Sequence, residues 1–406
     1  MNRKQVGAWA LFDFANSVYP AVMTTAVFPI FYMGTVVGSE GGEGEWWWGR
    51  AVALSALIVA TTAPLLGAIA DRGGARKKLM LFYTALCLVG VIAMSTLGPG
   101  MALQGFVLFV IANVGFESAL VFYNAYLPDI APLEQQGRVS GLGFGVGYLG
   151  SALGLLMALP FALGGRIELV WPLVSLFFLV FAIPAFIYLP KDRQAEMPIF
   201  AAARWGITHF TTIVAEVWRA KELRNFLIAF FFYIDGVLTI IVMAGGVATE
   251  TFGFSEADTI VLFLMVQLSA LVGAFALAKP TDLWGPKRVL NGVLLVWIAA
   301  GISAYFIQSA TLFYALAVVA GLGLGAVQSA SRAFMAALIP DGKEAEMFGF
   351  YALCGKSSSM LGPMLFGYAA LVAGGNQRPG FLLLTALFVI GLVLLQRVRD
   401  PRAAAA

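Results

Sequence analysis

The chain has 406 residues, 60% of them hydrophobic and only 12% charged, with a formal net charge of +3. Soluble domains run near half apolar and a quarter charged, so too little polar surface is left to face water. A slight positive balance of this size is a topology signal rather than a sign of nucleic-acid binding, and no nucleic-acid partner is expected.

Apolar runs of 18 or more residues with few charges read as membrane-spanning helices. In chain order eleven such runs fall at 6–37, 47–70, 79–97, 105–127, 139–163 and 169–189, then at 224–249, 257–278, 289–307, 311–339 and 347–373, and a shorter apolar run at 380–395 is the twelfth span. The first is too long for a signal peptide and lacks a small-residue cleavage site. The fold class is therefore all-α: a polytopic membrane protein of twelve transmembrane helices. The long connection at 190–223 divides an N-terminal six-helix bundle (1–189) from a C-terminal one (224–406). In that linker Phe210, Ile213, Val214 and Val217 recur at helical spacing, with Trp205, Trp218, Arg204, Arg219 and Lys221 among them. This pattern suits an amphipathic helix on the inner membrane surface. The one histidine, His209, lies there too, and a metal or relay role for it is not expected. Cys87 and Cys354 fall inside apolar runs and are expected as free thiols.

Of the 25 Lys and Arg, only Arg50, Arg166 and Arg378 fall on one face of this arrangement; Arg332 and Lys356 lie inside helices, and the rest, Arg402 included, share the other face. Cytoplasmic loops carry such an excess, which puts both termini inside. The opposite loops are acidic, with Glu40, Glu43 and Glu45 in one and Glu256 and Asp258 in another.

The halves echo each other. Asp71 is followed by glycine at Gly74 and a base at Arg76; Asp282 is followed by Gly285 and Lys287 at the same spacings. The fourth span ends in Pro128-Asp129 and the tenth in Pro340-Asp341, at an offset one residue from that of the aspartates. Internal six-helix repeats are a signature of transporters.

Five ionisable groups lie deep in spans: Asp13, Glu117, Asp235, Arg332 and Lys356. At 1.5 Å per residue, Glu117, Asp235 and Lys356 sit roughly 14–18 Å along their helices, near the middle of a core ~30 Å thick. Such charges are costly in hydrocarbon and normally face an aqueous cavity or a partner. Polar neighbours share their faces: Asn16 and Ser17 with Asp13, Asn113 and Asn124 with Glu117, Thr239 with Asp235, and Gln328 with Arg332. Three acids and two bases leave one acid over, and a buried unpaired carboxylate takes up a proton. Asp13, Glu117 and Asp235 are thus candidates for proton or ion coupling. Arg332, Lys356, Asn16, Gln328, Asn113 and Asn124 are candidates for substrate binding. Arginine's planar fork suits a carboxylate, which makes Arg332 the first choice for a substrate anion. Glycines at 143, 147, 150 and 154 form one stripe, and Gly321 and Gly325 another; both read as close helix packing. There is no metal-ligand cluster and no phosphate-binding loop of the Gly-x-x-x-x-Gly-Lys-Ser/Thr kind. No enzyme activity, cofactor or metal is expected, and ATP is not the driving force.

The run from Gly67 through Asp71 and Arg72 to Arg76-Lys77-Lys78 resembles the loop motif of the major facilitator superfamily, with Ala75 interposed after the second glycine. Trp9 to Ser17, Tyr123-Asn124-Ala125-Tyr126-Leu127-Pro128-Asp129, Gly147-Tyr148-Leu149-Gly150, Gln328 to Arg332, Phe348 to Tyr351 and Gly362-Pro363 together resemble the autophagy-related vacuolar amino-acid effluxers of fungi and their bacterial relatives. The resemblance implies the major facilitator fold, with spans 1, 4, 7 and 10 lining a cavity, and a gating role for Asp71, Arg72, Arg76 and Asp282. It implies a secondary active transporter moving a small polar solute, possible amino acids among them, by alternating access. The alternatives are an exporter of amphipathic drug-like or sugar substrates and a non-transporting membrane sensor. A small-molecule substrate, a coupling proton and the lipid bilayer are the expected partners of a monomer in a bacterial inner membrane.

Overall fold

The computed structural model describes residues 1–38, 40–358 and 361–401; Arg402, counted above among the inside charges, lies outside them, as do two residues of the eleventh expected span. Every regular element among the described residues is helical. Eleven helical stretches are long and apolar enough to cross a membrane. The remaining expected span, 347–373, is helical where it is described, as α15 (Glu344–Ser358) and α16 (Leu361–Val372), on either side of the two residues outside the description.

The first span runs Arg3–Gly38 and is not a uniform α-helix. After α1 (Arg3–Asn16) and the short α2 (Phe28–Phe31), π-helical turns cover Pro20–Ala26 and Tyr32–Gly38. Pro20 and Pro29 have no N–H to donate and crowd the carbonyl four residues back, and widened turns accommodate them. Spans two to six are α3 (Glu43–Arg72), α4 (Arg76–Ala93), α5 (Ala102–Asn124) with the one-turn α6 (Leu127–Ile130), α7 (Gln136–Leu163) and α8 (Val170–Tyr188). The linker holds two helices rather than one, α9 (Ile199–Thr208) and α10 (Phe210–Arg219). On α10, Ile213 and Val217 are buried while Phe210, Val214 and Trp218 stay exposed. The last spans are α11 (Lys221–Phe252), α12 (Glu256–Trp284), α13 (Pro286–Phe306), α14 (Ala310–Leu338), the α15–α16 pair and α17 (Arg378–Leu395). Ser255 and Asp258 form a reciprocal capping box at the start of α12. Gly253, at φ 68°, closes α11 in the left-handed conformation open to glycine.

The chain resolves into two compact units that cut across chain order. The first comprises Met1–Ile130, Val146–Thr208 and Asp341–Gly349; the second comprises Ala131–Gly145, His209–Pro340 and Phe350–Ala406. In the first, Phe12 stacks on Tyr123 and meets Phe178 and Phe186 edge-on, while Phe28 stacks on Phe109. In the second, α12 packs along α14, and α17 along α11 and α13. Glycine sets how closely these helices approach. A Cβ at Gly150 would collide with the Phe14 carbonyl, and one at Gly325 with the Ala270 carbonyl. Large apolar side chains such as Leu57, Phe82, Val89, Leu176, Val272 and Val393 point outward along the spans, the surface that hydrocarbon covers at no cost.

Candidate functional site

A buried ionic cluster occupies the first unit where α3 ends and α15 begins. Arg76, 8% exposed in its side chain, donates to Asp129 at 2.6 Å, Glu344 at 2.8 Å and Asp71 at 3.1 Å, and to the Ala125 carbonyl at 3.0 Å. Arg193 from the linker bridges the same Asp129 and Glu344 at 2.7 and 2.8 Å. Asp71 turns its two oxygens onto the first turn of α15, accepting the N–H of Ala345 at 3.2 Å and of Glu346 at 2.9 Å. A helix N-terminus leaves such donors without partners and carries partial positive charge, so the carboxylate is both cap and counter-charge. Burial works to raise the Glu344 pKa. The Arg76 charge, the Gly342 N–H and Arg193 outweigh it and hold the carboxyl below its ordinary value. Burial works to lower the Arg193 pKa, and the Asp129 and Glu344 charges raise it on balance.

Local sequence explains how the parts meet. Gly73 and Gly74, the latter at φ 53°, end α3 sharply, and α4 begins at Arg76. Gly67 faces Ala345 and Glu346 with no room for a Cβ, which brings the α15 backbone against α3. The linker then straps the cluster. Asp192 accepts the Lys77 N–H at 2.6 Å, and Lys77 Nζ donates to the Leu189 carbonyl at 2.6 Å. The Arg72 carbonyl accepts the Glu196 N–H; its guanidinium pairs with Glu196 at 3.0 Å and lies 3.7 Å from the Trp205 ring centroid. A small polar cleft opens here, lined by Asp71, Arg76, Tyr126, Asp129, Asp192 and Arg193 among others.

The second unit repeats the cap. Asp282, near the end of α12, accepts the N–H of Gly137 at 2.7 Å and of Arg138 at 3.2 Å at the start of α7, and pairs with the Arg138 side chain at 3.2 Å. The ion pairs differ. Lys287, the repeat counterpart of Arg76, donates to the carbonyls of Gln396 and Val398.

The remaining candidates fall in both units. Asp13 and Asn16 are buried on α1 and touch at 3.5 Å; Ser17 donates to the Asp13 carbonyl and Ser151 to that of Ser17. Asn113 is buried and donates to Ser55 at 2.8 Å. Glu117 is half-buried in electrostatic reach of Tyr19 and Cys87, and Asn124 ends α5. In the second unit, Arg332 is 2% exposed. Its Nε and one Nη donate to the hydroxyl and carbonyl of Ser140 at 3.0 and 2.8 Å, and its guanidinium covers Phe144 at 4.0 Å. Gln328 and Lys356 are half-buried. Asp235 is fully buried, with Oδ1 accepting the Gly362 N–H at 3.0 Å. Trp9 and Tyr123, which open two of the motifs above, form one stacked pair in which the indole N–H bonds the Tyr123 carbonyl. The second unit also holds an apolar pocket, with Ile240, Phe263, Trp297, Phe313, Leu316 and Phe381 in its wall.

Sequence reasoning placed Asp71, Arg72, Arg76 and Asp282 at helix ends and missed Asp129, Glu344, Arg193 and Asp192. Asp129 was legible as the acid of a repeated Pro-Asp turn. Glu344 follows the second such turn by three residues, but no local pattern links it to Arg76.

Eleven membrane-length helices with buried charges inside the spans make this a multi-pass membrane protein, and its relatives make it a transporter of the major facilitator superfamily. Residues 50–406 match the family model described as "Vacuole effluxer Atg22 like", and the chain belongs to that family. It is 30% identical to the uncharacterized MFS-type transporter YxiO of Bacillus subtilis, over 98% of this chain and 95% of that protein. It is 25% identical to autophagy-related protein 22 of Coccidioides immitis, over 83% of this chain and 69% of that protein. Among solved structures, the human organic anion transporter MFSD10 (TETRAN) superposes with a TM-score of 0.76 at 16% identity, over 98% of this chain and all of that one. The proton:xylose symporter XylE gives 0.70 at 14% identity, over 98% of this chain and 95% of that one. At those identities the likeness speaks for the fold.

Proposed function

We propose that this transporter moves a small zwitterionic solute of the amino-acid class by alternating access. The observation that carries the reading is the ionic cluster around Arg76. Five charged side chains and two helix-terminal amides hold the α15 N-terminus to the ends of α3, α4 and α6, a closure that must open and re-form in a cycle. Asp71, Arg72, Arg76 and, in the second repeat, Asp282 are its gating residues. The positive-inside rule places this cluster and both termini in the cytoplasm, with 1–189 and 224–406 as the two moving bundles of a monomer in a bacterial inner membrane.

Buried groups of both signs support a zwitterion. Ser140 and Phe144 fix the Arg332 guanidinium, which suits it to presenting a planar fork to a carboxylate; Lys356 is the second cation. Asn16, Asn113, Asn124 and Gln328 supply amide hydrogen bonds. Asp13, Glu117 and Asp235 are the acids available for the substrate amine or a coupling proton. The family description, a vacuole effluxer, agrees with movement of a solute across a membrane. The apolar lining of the second unit's pocket favours an amphipathic drug-like or sugar substrate as the second reading.

The test is uptake into liposomes of amino acids, sugars and cations, with and without a proton gradient. Saturable uptake of an amino acid supports the reading, and uptake confined to sugars or drug-like amphipaths replaces it with the second. For a cargo so found, Arg332→Lys keeps the charge and loses the fork, so the preference for the acid over its amide should fall. An unchanged preference in a folded variant returns Arg332 to a structural role.

A further inference from the structure

The short helix α10 presents two apolar stripes, and the protein covers one of them. Ile213 and Val217 are buried, while Phe210, Val214 and Trp218, spaced i, i+4, i+8, form a second stripe beside them that stays exposed, with Trp218 at 61%. Residues four apart on a helix share a side, so the exposed stripe is continuous; apolar side chains scattered singly need no explanation, but a contiguous strip does. Only Ala220 separates α10 from α11, a membrane-length helix that begins at Lys221. The stripe therefore ends where a span enters the bilayer, the depth at which indole rings collect.

Cations gather at the same corner. Arg219 and Lys221 are exposed and Arg224 is half-buried. Arg224 donates to the Trp218 carbonyl at 3.0 Å, and its guanidinium lies 5.8 Å from the Trp218 ring centroid. The segment after α17 adds two more. Asn225 donates to the Arg397 carbonyl at 3.3 Å, and the Arg399 N–H donates to Glu222, so the exposed Arg397 and Arg399 are carried against the first turn of α11. None of these five cations is in an ion pair among the described residues. The acids of the same segments are Glu216, Glu222 and Asp400, and five cations against three acids leave an excess of two positive charges.

We propose that the corner between α10 and α11 binds the headgroup phosphates of anionic phospholipids, with the Phe210, Val214 and Trp218 stripe sunk into the interface beside them. An amphipathic helix with basic residues holds such a surface by apolar burial together with attraction to anionic lipid, and a juxtamembrane cluster of Lys and Arg reads the charge of that lipid. Phosphate oxygens accept from guanidinium groups in the forked geometry that a carboxylate also offers, which completes the arginines of this corner. Position selects lipid over a soluble partner or a second copy: the entry of a span is ringed by lipid, so headgroups are always within reach of Lys221 and Arg224. Through Ala220 the bound lipid holds α10 against the start of α11, so the charge of the membrane bears on the transporter. This goes beyond the proposed function and holds for any cargo, and the proposed topology decides only which leaflet is read.

Hydrogen exchange of the full chain in nanodiscs, one copy to a disc, reads the docking of α10. The discs contain phosphatidylcholine alone or phosphatidylcholine mixed with phosphatidylglycerol, in both leaflets alike. Each Lys or Arg near an anionic surface contributes about fivefold in binding, so the amides of residues 213–218 should exchange about tenfold or more slowly in the anionic discs. Arg219→Gln, Lys221→Gln and Arg224→Gln together should remove that difference, and Arg219→Lys with Arg224→Lys should keep it. Should the triple variant fail to reconstitute, salt on wild type decides, because molar salt screens charges beyond about 3 Å and should bring the anionic discs down to the phosphatidylcholine rate. Equal exchange in the two discs, a difference that the glutamine variant keeps, or one that molar salt leaves intact overturns the proposal. So does a slowing shared equally by α13, which reports general stabilisation. Free glycerol phosphate over phosphatidylcholine discs should not slow exchange; if it does, the corner is a site for a soluble anion and the assignment to lipid falls.

Discussion

Replacing Arg76 with methionine removes the centre of the gate cluster while keeping most of its volume. Arg76 serves three carboxylates and a carbonyl, and the side chains of Asp71 and Glu344 are only 4% and 3% exposed. Removing one partner of a buried ion pair costs ~3–5 kcal/mol, because the other charge is left behind. Arg193 still faces two of the acids but is 49% exposed, so it offsets little. For a unit of this size each kcal/mol moves Tm by roughly 2–4 °C, which places the expected loss near 10 °C in a thermal scan in detergent. The pH dependence gives a sharper test. In wild type the Glu344 pKa is depressed, so its contribution is complete above the unfolded value, ~4.3, and is lost as pH falls through the lower folded value. Without Arg76, burial dominates and the folded pKa rises above the unfolded one. The native variant then binds more protons, and its stability should increase as pH falls from neutral toward 5, a range where wild-type Glu344 contributes no slope. A Tm within 2 °C of wild type, or a flat pH response in the variant, would refute the cluster as a cooperative buried network.

Three further outcomes follow from the same geometry. Arg193→Ala should cost about 1 kcal/mol or less, since a half-exposed pair is screened; a loss equal to that of Arg76→Met would mean the linker, not Arg76, centres the cluster. Gly150→Val should abolish monodisperse protein on size exclusion, because its Cβ meets the Phe14 carbonyl, whereas Gly246→Ala, with open space around it, should not. Reporter fusions after Lys343 and after Gly375 should report opposite sides of the membrane, and the same side for both would break the proposed topology.

The membrane fold was legible because hydrocarbon imposes a length and polarity rule on each span independently. The irregularities were not legible in that way. Pro20 and Pro29 gave notice of a disturbed first span, yet proline alone does not say whether a helix kinks, breaks or widens. The paired Asp-x-x-Gly signals identified Asp71 and Asp282 without revealing what they cap, because the capped turns lie far away in sequence. Glu344 and Arg193 were invisible for the same reason: each is an ordinary loop or helix-start charge until the fold sets it beside Arg76. Asp235 was legible as deep, but its contact with Gly362 joins α11 to a residue 127 positions away, which apolar periodicity does not mark.

The two aspartate caps offer a last comparison, since they share a geometry and differ in their ion pairs. Asp71 and Asp282 each accept two backbone N–H groups from the first turn of a helix, and each is nearly inaccessible, at 4% and 2% side-chain exposure. The cap itself, worth ~0.5–2 kcal/mol, should therefore be alike at both. Asp71 adds an arginine that is 8% exposed and tied to two further acids, whereas Asp282 adds Arg138, 50% exposed, a class of pair worth ~0–1 kcal/mol. Substituting asparagine at either place keeps one oxygen and removes the charge. The difference between the two losses should then approach ~2–3 kcal/mol, or at least tenfold in a local opening constant at about 1.4 kcal/mol per decade. Hydrogen exchange reads this directly. The amides of Ala345 and Glu346 in Asp71→Asn should accelerate by at least tenfold more than those of Gly137 and Arg138 in Asp282→Asn. Equal acceleration at the two helix starts would refute the inequality. It would mean that the Arg76 network adds nothing to the cap, and that the closure rests on a helix dipole and two amides in both repeats alike.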